Sequence, residues 1–395
     1  MDRSQSFPSQ LDAASFPADR VARSIEDHGQ KAAEQAASAK AELRLVTGDL
    51  TLAGLDHTAP LEWREALDFA TQGLGIDVQR VSGKPPASLI EKARRVVNSG
   101  GAAQACIFAP WRVVPSTAFQ RGQDSLPAPE AQWVASYLFD FGPACPAAQS
   151  PVDLVLMSPC PQVCSSEDPP VGPLPRLSTL AGMVRAAAAE GRKSLAIVVR
   201  ETARATLATR LLGFDASLNE ASLDVEFVSV EEAVVRLQRG GLEWDAVIAM
   251  PDLRGVVFAM LQQASGIAGP WPMLWFGRGL RMVTCETLGG AKTAGDLNAT
   301  ALLQSLALVA RYTSRQYAAQ RFFESWASVR DSGVVTPART SSAPYVNEIA
   351  EAAFIEHAVH CVTRNSRPAP VWKGLASECR ARRGSLQSVQ LRLVN

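Results

Sequence analysis

The chain has 395 residues, 47% apolar and 20% charged, a balance that excludes a disordered protein and leaves room for two domains of ordinary size. Lys plus Arg and Asp plus Glu number 39 each, so no global field draws nucleic acid or an anionic membrane, and no nucleic-acid partner is expected. The seven cysteines are odd in number and scattered, which fits reduced thiols in a cytoplasmic protein and not a disulfide framework.

MDRSQSFPSQLDAASF, at the start, carries acids early and no apolar core of a leader, so no signal peptide is expected. No apolar run reaches the roughly 18 residues of a membrane span, so no membrane partner is expected either. Residues 1–41, rich in Ala, Ser and Gln, read as a mobile arm. LRLVTGD (Leu43–Asp49) is the first strand, stopped by Gly-Asp. Helical spacing over Trp63–Gly73 precedes a second strand at Ile76–Val81. SLIEKARRVVNSGG then reads as a helix with a Gly stop, and Ala105–Phe108 as a third strand. Residues 110–130, with Pro, Gln and Ser, read as the crossing into a second domain.

The alternation of strand and helix then repeats, as in a parallel sheet with helices on its faces. Val152–Met157 is a strand, and Ser158–Pro175 a Pro/Cys/Ser-rich loop. LSTLAGMVRAAAAEG is a helix closed by Gly191, and Ser194–Val199 the strand after it. VEFVSVEEAVVRLQRG holds a strand and a helix, and WDAVIAM the next strand. Leu302–Tyr312 is apolar enough for an internal helix. TPARTSSAP separates a last helix near Val346–Val362 from a basic tail, 366–395, expected to be irregular.

Familiar chemical motifs fail. GGAKT at Gly289–Thr293 has Ala before its Lys and so is no phosphate loop, and neither GxGxxG after a strand nor GxSxG occurs. His357, His360 and Cys361 fit a half-exposed helix face better than a zinc site, which would need further ligands. Cys160 and Cys164 lie in a loop with no second pair.

Four stretches in order, LRLVTGD, LSTLAGMVRAAAAEGRKSLAIVV, WDAVIAMPDLRG and CETLGG…AGDLNATALLQSLALVARY, resemble the isocitrate/isopropylmalate dehydrogenase family over about Leu43–Val362. The resemblance implies a two-domain α/β fold with parallel or mixed sheets covered by helices. A nucleotide-type domain would combine 42–109 with 267–365, and 110–266 would be a middle domain carrying the dimer interface. It also implies oxidation of a 2-hydroxy acid with NAD(P), the substrate being held by Mg²⁺ or Mn²⁺.

The residues that this chemistry needs are absent where the resemblance places them. Gln132, Gly142 and Ser158 stand at the carboxylate-clamping arginines. Val256 and either Ala259 or Met260 stand at the metal-binding aspartates, which Mg²⁺ requires as hard oxygen ligands. Arg200 stands at the proton-transfer lysine and Thr202 at its companion Asn, and SPCPQVCSS holds no tyrosine. Arginine stays protonated far above neutral pH and does not cycle as a base. Gly289, Gly290 and Ala291 replace the His-Gly-Ser of the nucleotide loop.

Gly48, Asp49, Gly255, Glu286, Gly290 and Asn298 survive. Of these, Asn298, Glu286 and Gly290 are the positions at which NAD(P) would touch if it bound, with Asn298 reading equally well as a helix N-cap. The expectation is therefore a catalytically inactive relative, needing neither cofactor nor Mg²⁺. It would act as a structural or regulatory subunit, as a homodimer or beside an active dehydrogenase. The alternatives are a dehydrogenase with a rebuilt site, drawing on Arg200, Glu201, Asp252 and Arg254, and a metabolite or nucleotide sensor. Against the rebuilt-site alternative, Arg254 and Glu201 also read as a solvated ion pair at a domain edge.

Overall fold

The structure is a computed structural model. It describes residues 43–48, 76–81, 104–120, 126–128, 130–141, 151–166, 172–214, 223–267, 269–277, 281–288, 297–313, 315–337, 346–360, 369–376 and 390–393, with Ala66, Asp68, Phe69, Leu74 and Arg95 besides. The expected arm, Asp49, Gly142, Gly289, Gly290, Ala291 and Cys361 lie outside the described residues.

Apolar runs closed by Gly, Pro or polar residues form the strands: β1 (Leu43–Gly48), β2 (Asp77–Val81), β3 (Gln104–Pro115), β4 (Ala131–Asp140) and β5 (Val152–Pro159). β6 (Cys164–Ser166) and β7 (Pro173–Pro175) make a small antiparallel ribbon in what reads as loop. β8 (Ser194–Val199), β9 (Asp224–Ser229), β10 (Ala246–Ala249), β11 (Trp271–Gly277) and β12 (Arg281–Thr287) follow. β13 (Val334–Val335), β14 (Asn347–Glu348) and β15 (Gln390–Leu393) complete the set.

One 11-stranded sheet runs β15-β9-β8-β10-β5-β4-β11-β12-β3-β1-β2. β15 through β5 are mutually parallel, and so are β12, β3, β1 and β2. Between these blocks β4 and β11 pair antiparallel with both neighbours, so the two blocks run in opposite senses. Sheet twist of about 20–25° per step accumulates to roughly 100° over the five steps from β10 to β3. The C-terminal edges of the two blocks thereby meet: Gln120, in the 3-10 turn after β3, donates to the carbonyl of Asp252 after β10 at 2.8 Å.

Helices cover both faces. α1 (Leu177–Ala189) is Ala-rich and buries Leu180, Met183, Val184 and Ala187; Gly191 follows it, as expected. α2 (Glu201–Phe214) and α3 (Val230–Gly240) follow β8 and β9. α3 opens on Ser229, whose hydroxyl accepts from the Glu232 amide, with Glu231 and Glu232 at the positive helix end. α4 (Arg254–Ser265) follows β10. α5 (Ala299–Tyr312) is buried from Ala299 through Arg311, as its all-round apolar sequence requires. α6 (Gln316–Asp331) and α7 (Glu351–His360) pack beside it. The Arg330 guanidinium, buried in α6, forks onto Asp140 at the end of β4 at 2.8 Å to each carboxylate oxygen.

The segment expected to be an irregular tail is ordered in part. Its Gln390–Leu393 adds a parallel strand beside β9. Upstream, Trp372 is 2% exposed, stacks on Phe139 at 5.4 Å between centroids and meets Tyr137 edge-on at 6.4 Å. Gly374 is required there, because a Cβ would lie 2.9 Å from the Trp372 indole nitrogen. A buried polar cluster holds this segment at the N-terminal strand ends. Arg192, wholly buried, donates to Asp153 and Glu190, while Lys373 donates its amide to Asp153 and its ammonium to Asp245. Glu190 in turn accepts from the hydroxyls of Tyr137 at 2.6 Å and Tyr312 at 2.5 Å. Burial first, then the Glu190 charge, raises both phenols far above their ordinary range, so both remain donors.

Trp372→Ala is expected to cost about 3–5 kcal/mol, the range for deleting a buried aromatic. Urea unfolding followed by circular dichroism measures it. A loss under about 1 kcal/mol would mean that this segment is not part of the core.

Candidate functional site

In an α/β sheet, ligands bind where strands end and chains turn into helices. Here that place is bounded by the ends of β3, β5, β8 and β10. β8 ends at Val199, and Arg200 leads from it into α2. The Arg200 side chain, 45% exposed, donates from Nε at 2.9 Å and from Nη2 at 2.8 Å to Asp252 Oδ2. Gly172 crosses above with φ of 78°, and a Cβ on it would lie 3.1 Å from Arg200 Nε. The Asp252 carboxylate is thus already committed to a guanidinium. An exposed pair of this kind contributes about 0–1 kcal/mol and serves mainly to hold orientation.

Past Asp252 the chain enters α4. Val256 is 43% exposed and Ala259 and Met260 are partly exposed, an apolar surface without oxygen ligands. Thr202 is exposed on the first turn of α2, and Glu201 beside it lies 3.5 Å from Arg204. Among the described residues no group of three His, Cys, Asp or Glu side chains is placed to hold a metal ion. His357 and His360 both lie exposed on α7.

Arg254 corrects the sequence reading. Instead of a solvated group at a domain edge it is fully buried, and all three of its nitrogens donate. Nε donates to Glu286 Oε1 at 2.7 Å, Nη2 to Glu286 Oε2 at 2.6 Å and to Ser136 Oγ at 2.8 Å, and Nη1 to Ser158 Oγ at 2.7 Å. Ser136 closes the ring by donating to Glu286 Oε2 at 2.5 Å. The guanidinium carbon stands 4.8 Å from the centre of the Phe119 ring. Ser158, at a position where the resemblance implies an arginine, receives one from α4 instead. Both Glu286 oxygens are occupied inside the protein and the side chain is 0% exposed, so it offers a nucleotide no accessible acceptor.

Asn298 acts as a helix cap: its Oδ1 accepts from the Ala301 amide at 2.7 Å, and the residue is 1% exposed. Its Nδ2 has no partner among the described residues. Gln132 contributes a carbonyl that accepts from the Cys160 amide at 2.9 Å. Burial pushes the Cys160 and Cys164 thiols up to about 12, for Cys164 with the Asp252 charge adding to it, so both stay protonated and poor nucleophiles at neutral pH.

Sequence reasoning did not single out Gln120, Ser136 or the buried role of Arg254. The signal for Ser136 is a serine set within the apolar run AQWVASYLFD, because a buried hydroxyl needs a partner. For Arg254 the signal is a charge set directly before the apolar run GVVFAM, of which Gly255, Val257 and Phe258 are buried.

No family model and no curated protein matches this chain. Among solved structures it is similar to the TT0538 protein from Thermus thermophilus, with a TM-score of 0.59 and 14% identity, over 88% of this chain and 73% of that one. It is also similar to isocitrate dehydrogenase from Methylococcus capsulatus, with a TM-score of 0.57 and 12% identity, over 80% of this chain and 98% of that one. At these identities the likeness speaks for the fold alone. The chain has a mixed α/β architecture of the isocitrate dehydrogenase type.

With Asp252 held by Arg200 and Val256 and Ala259 apolar, millimolar Mg²⁺ or Mn²⁺ is expected to leave the melting temperature unchanged within about one degree, as is EDTA. A metal-dependent rise of several degrees that disappears in Asp252→Ala would show a working site around that carboxylate.

Proposed function

We propose that this protein keeps the isocitrate dehydrogenase-type fold without the reaction and works through contacts with other chains, as a structural or regulatory subunit. The observation that carries the reading is the composition of the strand-end turn. Val256 presents a bare isopropyl group to solvent, while the nearby charges, Arg200 with Asp252 and Arg254 with Glu286, neutralise each other. Groups paired in this way are not free to clamp a substrate carboxylate or to transfer a proton.

The partner surface we assign to α3 and α4, within a middle domain spanning 110–266. Val235 and Val256 are each 43% exposed on these helices. Between them runs a groove of about 480 Å³ lined by Leu237, Gln238, Gly241, Met260, Gln263 and Ala264. Exposed aliphatic residues beside a groove of this size suit a helix from a second chain, either another copy or an active dehydrogenase subunit.

Light scattering on the purified protein tests this. A mass twice the 42.2 kDa of the chain, or a stable complex with an active dehydrogenase, is expected. Met260→Glu, which sets a charge in the groove, is expected to weaken the association at least about tenfold, since an unpaired charge in an interface costs more than about 1.4 kcal/mol. A strict monomer that captures no dehydrogenase would contradict the proposal. So would turnover of a 2-hydroxy acid with NAD(P) that Arg200→Ala abolishes.

A further inference from the structure

The 3-10 turn Ser116–Gln120, at the end of β3, lies against the first turn of α4, although the two follow strands of opposite parallel blocks. α4 has no side-chain cap of its own, since its N-cap is Leu253, which makes no capping hydrogen bond. The polar side chains at that helix end come from the turn instead. Gln120 donates from Nε2 to the Asp252 carbonyl at 2.8 Å. A Cβ on Gly255 would lie 3.4 Å from the Thr117 methyl, 3.6 Å from Gln120 Nε2 and 3.8 Å from Ser116 Oγ. The space beside Gly255 is therefore filled by the turn.

The turn is itself firmly seated. Ser116, Ala118 and Phe119 are buried. The Phe119 ring stacks on Trp275 at 5.9 Å between centroids and carries the Arg254 guanidinium at 4.8 Å, so it is held between β11 and α4. The Ser116 hydroxyl donates to the carbonyl of Leu288, just past β12, at 3.4 Å. Asp252 is gripped twice: Gln120 takes its carbonyl from one block, and Arg200 takes its carboxylate from the other. Clefts at strand ends are where α/β sheets take ligands, and such clefts commonly close only when a ligand supplies the contacts. Here side chains of the protein supply them.

We propose that residues 116–120 are a built-in latch, which keeps the strand-end cleft shut against α4 with no ligand bound. Phe119 is its seat and Gln120 its catch. The catch is exposed, so its side chain can be shortened without opening the core. The latch involves no bond-making step. It does not rest on the subunit reading, because a shut cleft suits a monomer as well as a dimer; light scattering tests that reading, and the exchange experiment below tests this one.

Hydrogen exchange followed by mass spectrometry on the full-length chain tests it, because local opening sets the exchange rate of the amides that a latch covers. Peptides spanning 116–120 and 252–258 are compared in the wild type and in Gln120→Ala, with α1 as the internal control. Gln120→Ala is expected to speed exchange in both peptides together by at least twofold and up to about tenfold, the span of one hydrogen bond, and to leave α1 unchanged. Millimolar malonate or NADP is expected to leave the wild-type rates at these peptides as they are, since the cleft is already shut. Three results would overturn the proposal. The first is exchange unchanged in Gln120→Ala, and the second is faster exchange that extends equally to α1, which would mean a general loss of stability. The third is several-fold slowing of the wild type by either probe, which would mean a cleft that stands open until a ligand closes it.

Discussion

The fold depends on one buried ion pair. Arg254, at the first turn of α4, and Glu286, at the end of β12, come from opposite halves of the sheet and are both 0% exposed. Ser136 on β4 and Ser158 on β5 complete the ring, so four elements from both blocks meet on a single guanidinium. A buried pair does not by itself add much stability, because desolvation consumes most of the attraction. What it does is forbid alternatives: any arrangement that separates the partners leaves a bare charge in the core at a cost of several kcal/mol. The antiparallel strands β4 and β11, which join two oppositely directed parallel blocks, are held in register by that constraint.

The same constraint shapes the functional site. In a sheet of this kind the turn after β10 is where a ligand would meet the backbone. Here its arginine points inward to Glu286, its aspartate is held by Arg200, and its outward face is Val256. The charges at this place close the structure on itself, and the surface left over is aliphatic. On our reading a turn suited to chemistry has become part of the scaffold, with α3 and α4 offering a face to another chain.

Much of the fold is legible in the sequence where one local rule decides. SLAIVV forms a strand over its full length, because a short Val/Ile/Leu run between charged residues fits a buried parallel position. The Ala-rich α1 and the Ser229 cap of α3 follow from propensity and capping. AQWVASYLFD and WPMLWFG are harder to read: buried on both faces, they show no alternation, and Pro272 within the second argues against a strand. The strand near the C-terminus is hidden because QLRL is short and its pairing partner, β9, is far away in the sequence.

The site divides in the same way. The absence of carboxylates at Val256 and Ala259 can be read directly, whereas the inward path of Arg254 depends on Glu286, 32 residues further along the chain. Nothing local marks that pairing. It arises when the sheet assembles, and for that reason Arg254 reads from sequence as a surface charge.

A double-mutant cycle on Arg254 and Glu286, read by chemical unfolding, tests the central claim most directly. If the pair is a structural clamp, Arg254→Met and Glu286→Gln each lose about 3–5 kcal/mol, and the double variant loses far less than their sum, with a coupling of about 2 kcal/mol or more. Single losses under about 1 kcal/mol that simply add would contradict it, and would leave those charges free to serve a ligand.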